Sequence, residues 1–150
     1  MSMQANITLY LVKNVPSKIT ALRIIEVLMN AGFTLNDYGK ISYLPFGDID
    51  NFDWRIQEEI DWSILKEIIA AKELAGEVVG LVMTWQKTLI GGTLLLYPDQ
   101  KISFGINVNR QEKLLPGKYR ITDFEWYLSK IIPPLSDEFG VQSFSFCQDS

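Results

Sequence analysis

The sequence predicts an α+β fold in which helices pack on a mostly antiparallel sheet. Three strand-like segments follow one another between Glu77 and Arg110 with a turn signal at each join, and the last of them alternates strictly between apolar and small polar residues. Such alternation indicates a sheet with one face on a core and the other towards water or a partner. Segments with helical periodicity separate the remaining strands, which gives the order β-α-β-α-β-β-β-α-β over a single domain, residues 1–150. With 47% apolar and 21% charged residues, the composition is that of an ordinary globular domain.

The first half of the chain contains two strand-like segments with a helix between them. Residues 6–12 are rich in β-branched and aromatic side chains and predict the first strand. For the helix that follows, Ser17 is the predicted N-cap and Gly32 the C-terminal stop, because apolar residues recur between them at helical spacing. Residues 40–44 predict a short second strand, which Pro45 closes.

A second helix and the three-stranded meander form the middle of the predicted fold. The helix is expected to begin at Asp61 or shortly before it and to end at Gly76. In the meander, Gly91-Gly92 predicts a tight hairpin turn, because glycine accepts the positive φ that such turns need, and Pro98-Asp99 predicts the next turn. Residues 109–120 carry four basic side chains and are expected to be a basic connection that contains a turn.

The last part of the chain predicts a third helix followed by a final strand. Thr122 and Glu125 have the spacing of a capping box, in which each side chain can bind a free backbone amide. Pro133-Pro134 is expected to end this helix, since proline lacks the amide that a helix interior needs. After Gly140, residues 141–147 predict a strand with its two phenylalanines on one side.

Histidine is absent from the sequence, and the chain has one cysteine. Histidine is the usual general base near neutral pH and the commonest metal ligand, so its absence excludes Ser-His-Asp and Cys-His catalysis and histidine-based zinc sites. Cys147 is expected to be a packing residue of the last strand. No glycine-rich phosphate-binding motif occurs. We therefore expect neither a metal nor a cofactor.

The net charge of −4 argues against a nucleic-acid partner, because binding to phosphates needs a basic surface. It is compatible with a basic protein partner. The N-terminal residues lack the features of a signal peptide, and no apolar run is long enough to span a membrane. Together with the single cysteine, these observations predict a cytoplasmic location and no membrane contact.

The segment from Phe46 to Trp62 has the most unusual composition in the chain. Between Asp48 and Asp61 lie six acidic residues and one basic residue, a local charge of −5, and aromatic residues are interleaved with them. Aromatic anchors surrounded by like charge are typical of an interface with a basic partner. The predicted partner-binding residues are Asp48, Asp50, Phe52, Asp53, Trp54, Glu58 and Glu59.

Three other interpretations of this segment are open. A calcium loop would begin correctly at Asp48 and Asp50, but the third acid is Asp53, one place late, and the sharp-turn glycine is missing. A pair of carboxylates could hydrolyse glycosides, but the sequence does not fix their separation. The simplest interpretation is that Trp54 and Trp62 are core residues and the acids a solvated rim.

The polar face of the meander is a second candidate surface. Its simpler interpretation is a hydrated sheet face. The residues concerned are Thr84, Gln86, Ser103, Asn107 and Asn109.

A small acidic chain of this layout without histidine resembles the immunity proteins that bacteria make beside secreted or contact-delivered toxins. The segments Y-L-P-F-G-D-I-D-N-F-D-W and I-T-D-F-E-W-Y-L are similar in character to that group. The resemblance implies binding and blocking of a cognate toxin, often a basic nuclease, through acidic and aromatic side chains. It assigns no individual residue.

The leading hypothesis is a non-enzymatic binding protein, an immunity-type inhibitor that docks a basic toxin. The alternatives are a small-molecule-binding domain, which would show an apolar pocket between sheet and helices, and a carboxylate-dependent hydrolase, which would show neighbouring carboxylates with pKa values pushed apart.

Overall fold

In its described residues the protein is an antiparallel sheet with three helices packed on it, which confirms the predicted α+β class. The structure is a computed structural model and describes residues 4–12 and 19–149. The helices are α1 (Ala21–Ala31), α2 (Trp62–Leu74) and α3 (Phe124–Glu138). The strands are β1 (Gln4–Leu11), β2 (Phe33–Thr34), β3 (Ile41–Tyr43), β4 (Arg55–Gln57), β5 (Val79–Trp85), β6 (Gly91–Leu96), β7 (Lys101–Val108), β8 (Glu112–Leu115), β9 (Tyr119–Thr122) and β10 (Val141–Asp149).

The two edge strands of the main sheet lie on opposite sides of it. Within the described residues the order is β10-β1-β7-β6-β5-β3-β4, with β2 also paired to β5, and β8 and β9 form a separate two-stranded sheet. The strands β5, β6 and β7 are the predicted meander. The edges of the main sheet are therefore β10 on one side and β4 on the other.

One face of the sheet and the inner faces of the helices form the hydrophobic core. On β1 and over most of β7 every second residue is buried, and in β1 the buried set includes Ile7 and Leu9, whereas β5 is buried at six consecutive residues. These side chains pack in one cluster with residues of all three helices, including Ile25, Ile69 and Leu135. The packing follows from matching a strand period of two to a helix period of 3.6, since each element turns one apolar face inward.

The ends of α1 agree only in part with the sequence. The described helix begins at Ala21, and the hydroxyl of Thr20 accepts a hydrogen bond from the backbone N–H of Arg23, 3.2 Å away, as an N-cap does. The predicted N-cap, Ser17, lies outside the described residues. At the other end Gly32 has φ +136° and its N–H donates to carbonyls of the last turn, as predicted.

Several predicted boundaries are confirmed. Asp61 is the N-cap of α2, its carboxylate accepting from the N–H of Ser63 at 3.1 Å, and Gly76 follows the end of that helix. The turn at Pro98-Asp99 joins β6 to β7. Gly140 leads into the last strand, where the two phenylalanines lie on the same side.

The predicted hairpin turn at Gly91-Gly92 is wrong, because both glycines belong to β6. The turn lies earlier, where Gln86 and Leu89 have positive φ. The reason for glycine is close backbone packing: a Cβ on Gly91 would lie 1.9 Å from the carbonyl oxygen of Met83 on the neighbouring strand. Glycine in a strand interior commonly marks such an approach of another backbone.

The segment predicted as a basic connection is instead the hairpin of β8 and β9. Its predicted turn is present, with Gly117 and Lys118 at positive φ. Four residue pairs join the strands, but almost all side chains of the hairpin are exposed. A strand without a buried face leaves no alternating apolar pattern in the sequence, so this hairpin had no periodic signal.

The cap of α3 differs from the predicted capping box. Asp123 is the N-cap, and its carboxylate accepts from the N–H of Trp126 at 3.2 Å. Thr122, one residue earlier, is the last residue of β9 and is buried. The cap is therefore displaced by one residue from its predicted position.

The prolines of α3 do not end the helix, which continues through Pro133-Pro134 to Glu138. Each proline removes a helical hydrogen bond. The turn beyond them carries Leu135 and Phe139, which are both buried in the core cluster. Burial of two large apolar side chains offsets the lost hydrogen bonds, so tertiary packing overrides the local preference.

Candidate functional site

The predicted binding segment forms a loop at the β4 edge of the sheet. We define the acidic loop as residues 46–61, which leave β3, contribute β4 and lead into α2. Most of its side chains are exposed. The acidic loop is nevertheless tied to the domain at two places, the ammonium of Lys72 and the indole of Trp54, and the carboxylate of Asp48 holds the loop's own backbone.

The Asp48 side chain fixes the backbone conformation of the acidic loop. Its carboxylate accepts hydrogen bonds from three consecutive backbone amides, those of Asn51 at 3.1 Å, Phe52 at 3.0 Å and Asp53 at 2.7 Å. The residue is only 7% exposed. Its charge is therefore directed at the loop's own backbone, and Asp48 supports the proposed surface without lying on it.

Lys72 lies on α2 and binds the backbone at the start of the same loop. Its side chain is 1% exposed. Its ammonium donates to the carbonyl oxygens of Pro45 at 2.7 Å and Asp48 at 3.0 Å, and to Glu77 Oε1 at 3.0 Å. Glu77 Oε1 also accepts from the N–H of Gly47 at 2.9 Å. All three ammonium protons thus have acceptors, and the start of the loop is fixed to the junction of α2 and β5.

The two buried carboxylates are held in the ionised form. Burial alone would raise the pKa of Asp48, but the three amide hydrogen bonds, together with the charge of Lys72, outweigh it and lower that pKa below its ordinary value. Burial would likewise raise the pKa of Glu77, and the hydrogen bond from Lys72 and the Gly47 amide lower it. A carboxyl that acts as a general acid needs a raised pKa, so neither group has that property.

Trp54 connects the acidic loop to the sheet. Its side chain is half-buried, and a Cβ built on Gly80 of β5 would lie 2.9 Å from the indole and 2.7 Å from the side chain of Leu44. The absence of a side chain at Gly80 therefore makes room for both. Part of the Trp54 side chain therefore packs against β5, outside the core cluster, and the rest is exposed.

The remaining predicted residues all lie on the loop surface. Asp50, Asp53, Glu58 and Glu59 are exposed. Phe52 is exposed too, and its backbone has φ +54°, in the left-handed region that aromatic residues rarely adopt.

The structure adds apolar residues that the predicted list did not contain. Phe46 is 61% exposed and Ile49 is 64% exposed, and both precede Phe52 in the same turn-rich part of the loop. Ile56 of β4 is exposed as well. The sequence signal was present, since these residues interleave with the acids, but sequence alone does not distinguish an exposed apolar side chain from a buried one.

The polar face of the meander is less available than the sequence suggested. Thr84 is fully buried, and its hydroxyl donates to the carbonyl oxygen of Asn36 at 2.7 Å. Ser103 donates to Asn6 Oδ1 at 2.9 Å. Cys147, expected to be a packing residue, is exposed on β10.

A cavity of about 300 Å³ opens at the end of the sheet between the start of α1, the end of α2 and the turn that joins β6 to β7. Its walls are mainly aliphatic, with Glu73 and Lys101 among the polar groups. Glu73 Oε2 accepts from the N–H of Ala21 at 2.7 Å, so this carboxylate is already used at the start of α1.

Among residues 4–12 and 19–149, no group of three or more acidic or cysteine side chains is arranged to hold a metal ion. The described helices are all too short or too polar to cross a membrane. Comparison of the chain with protein-family models, with curated proteins and with solved structures finds no match.

Proposed function

We propose that this protein is a non-enzymatic binding domain that docks a basic protein through the acidic loop. One observation carries the proposal: a buried ammonium, Lys72, holds in a fixed shape a loop whose exposed side chains are acidic and apolar. A solvated rim has no need of such support. A loop that is ordered before binding loses less entropy when it binds, so it gains affinity.

The backbone of Phe52 supports the same function. The left-handed conformation costs a residue of this kind about 1 kcal/mol. It is maintained here because the Asp48 carboxylate binds the N–H of Phe52 and those of its two neighbours. Strain that the surrounding structure maintains is concentrated at functional sites. Here it leaves an aromatic side chain exposed between acids, as an interface anchor would be.

The negative charge of the acidic loop favours a basic partner. The exposed acids of the loop outnumber its one basic residue, Arg55. Their field attracts a basic surface and accelerates association, while the apolar side chains bury area once contact is made. The partner is therefore a basic protein, and Phe46, Ile49 and Phe52 are its apolar contacts.

We propose further that the partner is a toxin and that binding inhibits it. The resemblance of the chain to immunity proteins supports this step, as does its acidic net charge of −4. An inhibitor of a basic nuclease needs a rigid acidic surface and no chemistry of its own. The fixed acidic loop meets that need.

The experiment compares three immobilised forms of the full chain as bait for basic proteins from the source cells. The forms are the wild type, Asp50→Asn/Asp53→Asn, and the control Asp137→Asn/Glu112→Gln, which changes net charge equally at exposed positions outside the acidic loop. We expect the wild type and the control to retain a basic protein at low salt and to lose it at high salt. The loop variant should retain less of it.

Association kinetics then assign the loop. The double variant should slow association about three- to tenfold at low ionic strength, with little change in dissociation. Phe52→Ala should instead accelerate dissociation, since a buried anchor acts on the lifetime of a complex. Equal kinetics for the wild type and the loop variant would remove the acidic loop from the interface. A captured toxin whose activity is unchanged by the bound protein would contradict inhibition.

The cavity supports a second candidate, a domain that binds a small apolar ligand. Its volume of about 300 Å³ and its aliphatic walls are at the lower end of what ligand pockets show. Lys101 at its rim could pair with an acidic head group, and Glu73, whose Oε2 accepts from the N–H of Ala21, could pair with a basic one through Oε1.

Six- to ten-carbon alkyl carboxylates and alkyl amines test this candidate by thermal shift. A ligand of the cavity should raise the Tm of the wild type and of the control Ala70→Leu, an exposed position on α2. It should not raise the Tm of Ala21→Leu, which places extra atoms in the cavity. No shift with any probe, or an equal shift in the Ala21→Leu variant, would contradict it.

A further inference from the structure

The outer edge of β10 is a long strand edge without a partner strand in the described part of the chain. β10 spans Val141–Asp149 and pairs with β1 on one side only, with a bulge at Gln142 near its start. The other side presents the backbone N–H and C=O groups that point away from β1. Such an edge is a template for pairing with another strand.

The opposite edge of the same sheet shows how an edge is normally protected. β4 is only three residues long, includes Arg55, and is followed by Glu58 and Glu59. Short length and charge both discourage pairing. β10 is three times as long, contains no proline, lysine or arginine, and has one charged residue, Asp149. The β4 edge is thus protected by short length and by charge, whereas the β10 edge is long, nearly uncharged and interrupted near its start by the bulge at Gln142.

Apolar side chains accompany the free edge. Phe144 is 49% exposed and Phe146 is 53% exposed. In register they lie beside Leu9 and Ile7, on the helix side of the sheet. The ring of Phe124 at the start of α3 stacks on Phe146 at 4.6 Å between centroids, so α3 covers part of one phenylalanine.

The β8-β9 hairpin extends this surface. The backbone N–H of Thr122, at the base of the hairpin, donates to Gln148 Oε1 of β10 at 2.6 Å. The hairpin exposes Leu114 and Tyr119. The base of an exposed hairpin thus adjoins the strand that carries the exposed rings, and exposed apolar surface of this kind marks an interaction site.

We propose that β10 pairs antiparallel with β10 of a second copy of this chain, about a two-fold axis through Ser145. Ser145 is the midpoint of the strand, so this register brings the whole of β10 into the interface, and the five residues from Ser143 to Cys147 pair regularly between the bulges at Gln142 of the two copies. It places Phe144 of one copy opposite Phe146 of the other on both sides of the axis. Aromatic pairs directly across two strands stabilise a sheet.

Length and charge identify the occupant as a second copy. Among the described strands, every other strand as long as seven residues is already paired on both sides, and the free edge at β4 has only three residues. In the proposed register the single charge, Asp149, faces Val141, so no like charges oppose each other. The pairing is isologous and therefore closes as a dimer. It leaves the acidic loop, at the other edge of the sheet, free for its own partner.

Cysteine cross-linking tests the register on the full chain. In a Cys147→Ser background, Ser145→Cys puts one cysteine of each copy beside the axis, so a disulfide or a short bis-maleimide should link the copies. The control Gln142→Cys, equally exposed, faces Gln148, and its two thiols would lie about 20 Å apart. We expect cross-linked dimer from Ser145→Cys and none from Gln142→Cys.

Sedimentation measures the assembly without cross-links. We expect the wild type to shift from its monomer mass of 17.1 kDa to twice that mass as its concentration rises. Ser145→Lys puts two lysines face to face at the axis and should shift the equilibrium to monomer, with an unchanged circular dichroism spectrum and the Tm of the dilute, monomeric wild type. A monomeric wild type at high micromolar concentration, a Ser145→Lys variant that stays dimeric, or equal cross-linking of both cysteine variants would overturn the proposal.

Discussion

The ammonium of Lys72 lies 3.0 Å from Glu77 Oε1, in an ion pair that is almost completely removed from solvent. Lys72 also donates to two carbonyl oxygens of the chain that enters the acidic loop. A buried charge pair of this kind contributes little net stability, since desolvation opposes its attraction. Its value here lies in position, because it fixes a loop that has few apolar contacts with the core.

Removing one member of this pair should destabilise the protein strongly. Lys72→Met leaves the Glu77 carboxylate buried without its cation and two carbonyl oxygens without their donor. We expect a loss of about 3 kcal/mol in the free energy of unfolding. Urea unfolding followed by tryptophan fluorescence measures it, because Trp54 lies in the loop that is released.

The matched control is Lys66→Met on the same helix. Lys66 is only half-buried, so its loss should change stability by less than about 0.5 kcal/mol. Equal losses in the two variants would show that a lysine side chain on this helix matters for packing and that the buried pair has no special role.

The two buried carboxylates predict a loss of stability in acid. Both pKa values lie below their ordinary values, 3.8 for Asp48 and 4.5 for Glu77, so the unfolded chain binds protons more readily than the folded one. Their contribution is complete above about pH 5 and is lost as the pH falls through the ordinary values towards the folded ones. The Tm should fall accordingly between about pH 5 and pH 3.

Glu77→Gln isolates one of these groups. At pH 7 the variant should have a lower Tm than the wild type, because glutamine cannot form the ion pair with Lys72. The difference in Tm should narrow as the pH falls below 4.5, because the wild-type carboxylate then becomes protonated. Asp137→Asn, at an exposed position, controls for the loss of one negative charge. A Tm difference between wild type and Glu77→Gln that stayed constant from pH 7 to pH 3 would contradict the assignment.

The elements that the sequence predicted have local signals. Asp61 caps α2 by binding an amide two residues away, and the buried residues Ile102 and Phe104 alternate with half-buried ones inside a single strand. Each signal is contained within a few consecutive residues, so it can be read without knowing the rest of the fold.

The elements that the sequence missed depend on distant parts of the chain. β2 consists of two residues, Phe33 and Thr34, and exists only because β5 pairs with it. The continuation of α3 past Pro133-Pro134 depends on burial of Leu135 in a core formed by the whole chain. Contacts between segments far apart in sequence leave no periodic trace at either position.

In the candidate site, too, some features could be predicted from the sequence and others could not. Composition located the acidic loop, but Asp48 and Asp50 are alike in sequence, and only the structure shows that the first is buried against amides and the second is exposed. The residue that fixes the loop, Lys72, is 24 positions away from Asp48 on a different element. A lysine on a helix is ordinarily solvated, so no sequence signal marked this one.

Glycine at position 91 should be required for reasons of space. Gly91→Ala would place its Cβ 1.9 Å from the carbonyl oxygen of Met83, and a backbone atom between paired strands cannot move away cheaply. We expect a loss of about 3 kcal/mol in the free energy of unfolding. In Gly105→Ala the Cβ would lie 3.9 Å from its nearest neighbour, the carbonyl oxygen of Thr93. That control should keep its stability or gain up to about 1 kcal/mol.

Urea unfolding of the two alanine variants distinguishes close packing from a general need for glycine in these strands. Similar stability of the Gly91→Ala and Gly105→Ala variants would show that the sheet adjusts at position 91. In that case the approach of β6 to β5 is not the reason for glycine there.

The stability of a Thr122→Val variant distinguishes two roles for the Thr122 hydroxyl, that of a helix cap and that of a buried group without a hydrogen bond. As the first residue of a capping box, its hydroxyl would bind a helix amide, and Thr122→Val would cost about 1 kcal/mol. In the structure that hydroxyl is buried and has no hydrogen-bond partner among the described residues, while Asp123 caps α3. Thr122→Val keeps the shape of the side chain and removes an unsatisfied polar atom, so it should stabilise the protein by about 1 kcal/mol. Asp123→Ala should destabilise it by a similar amount, because the cap is lost. Chemical denaturation measures the change in the free energy of unfolding of both variants. Destabilisation by Thr122→Val, together with no change in Asp123→Ala, would show that Thr122 is the N-cap.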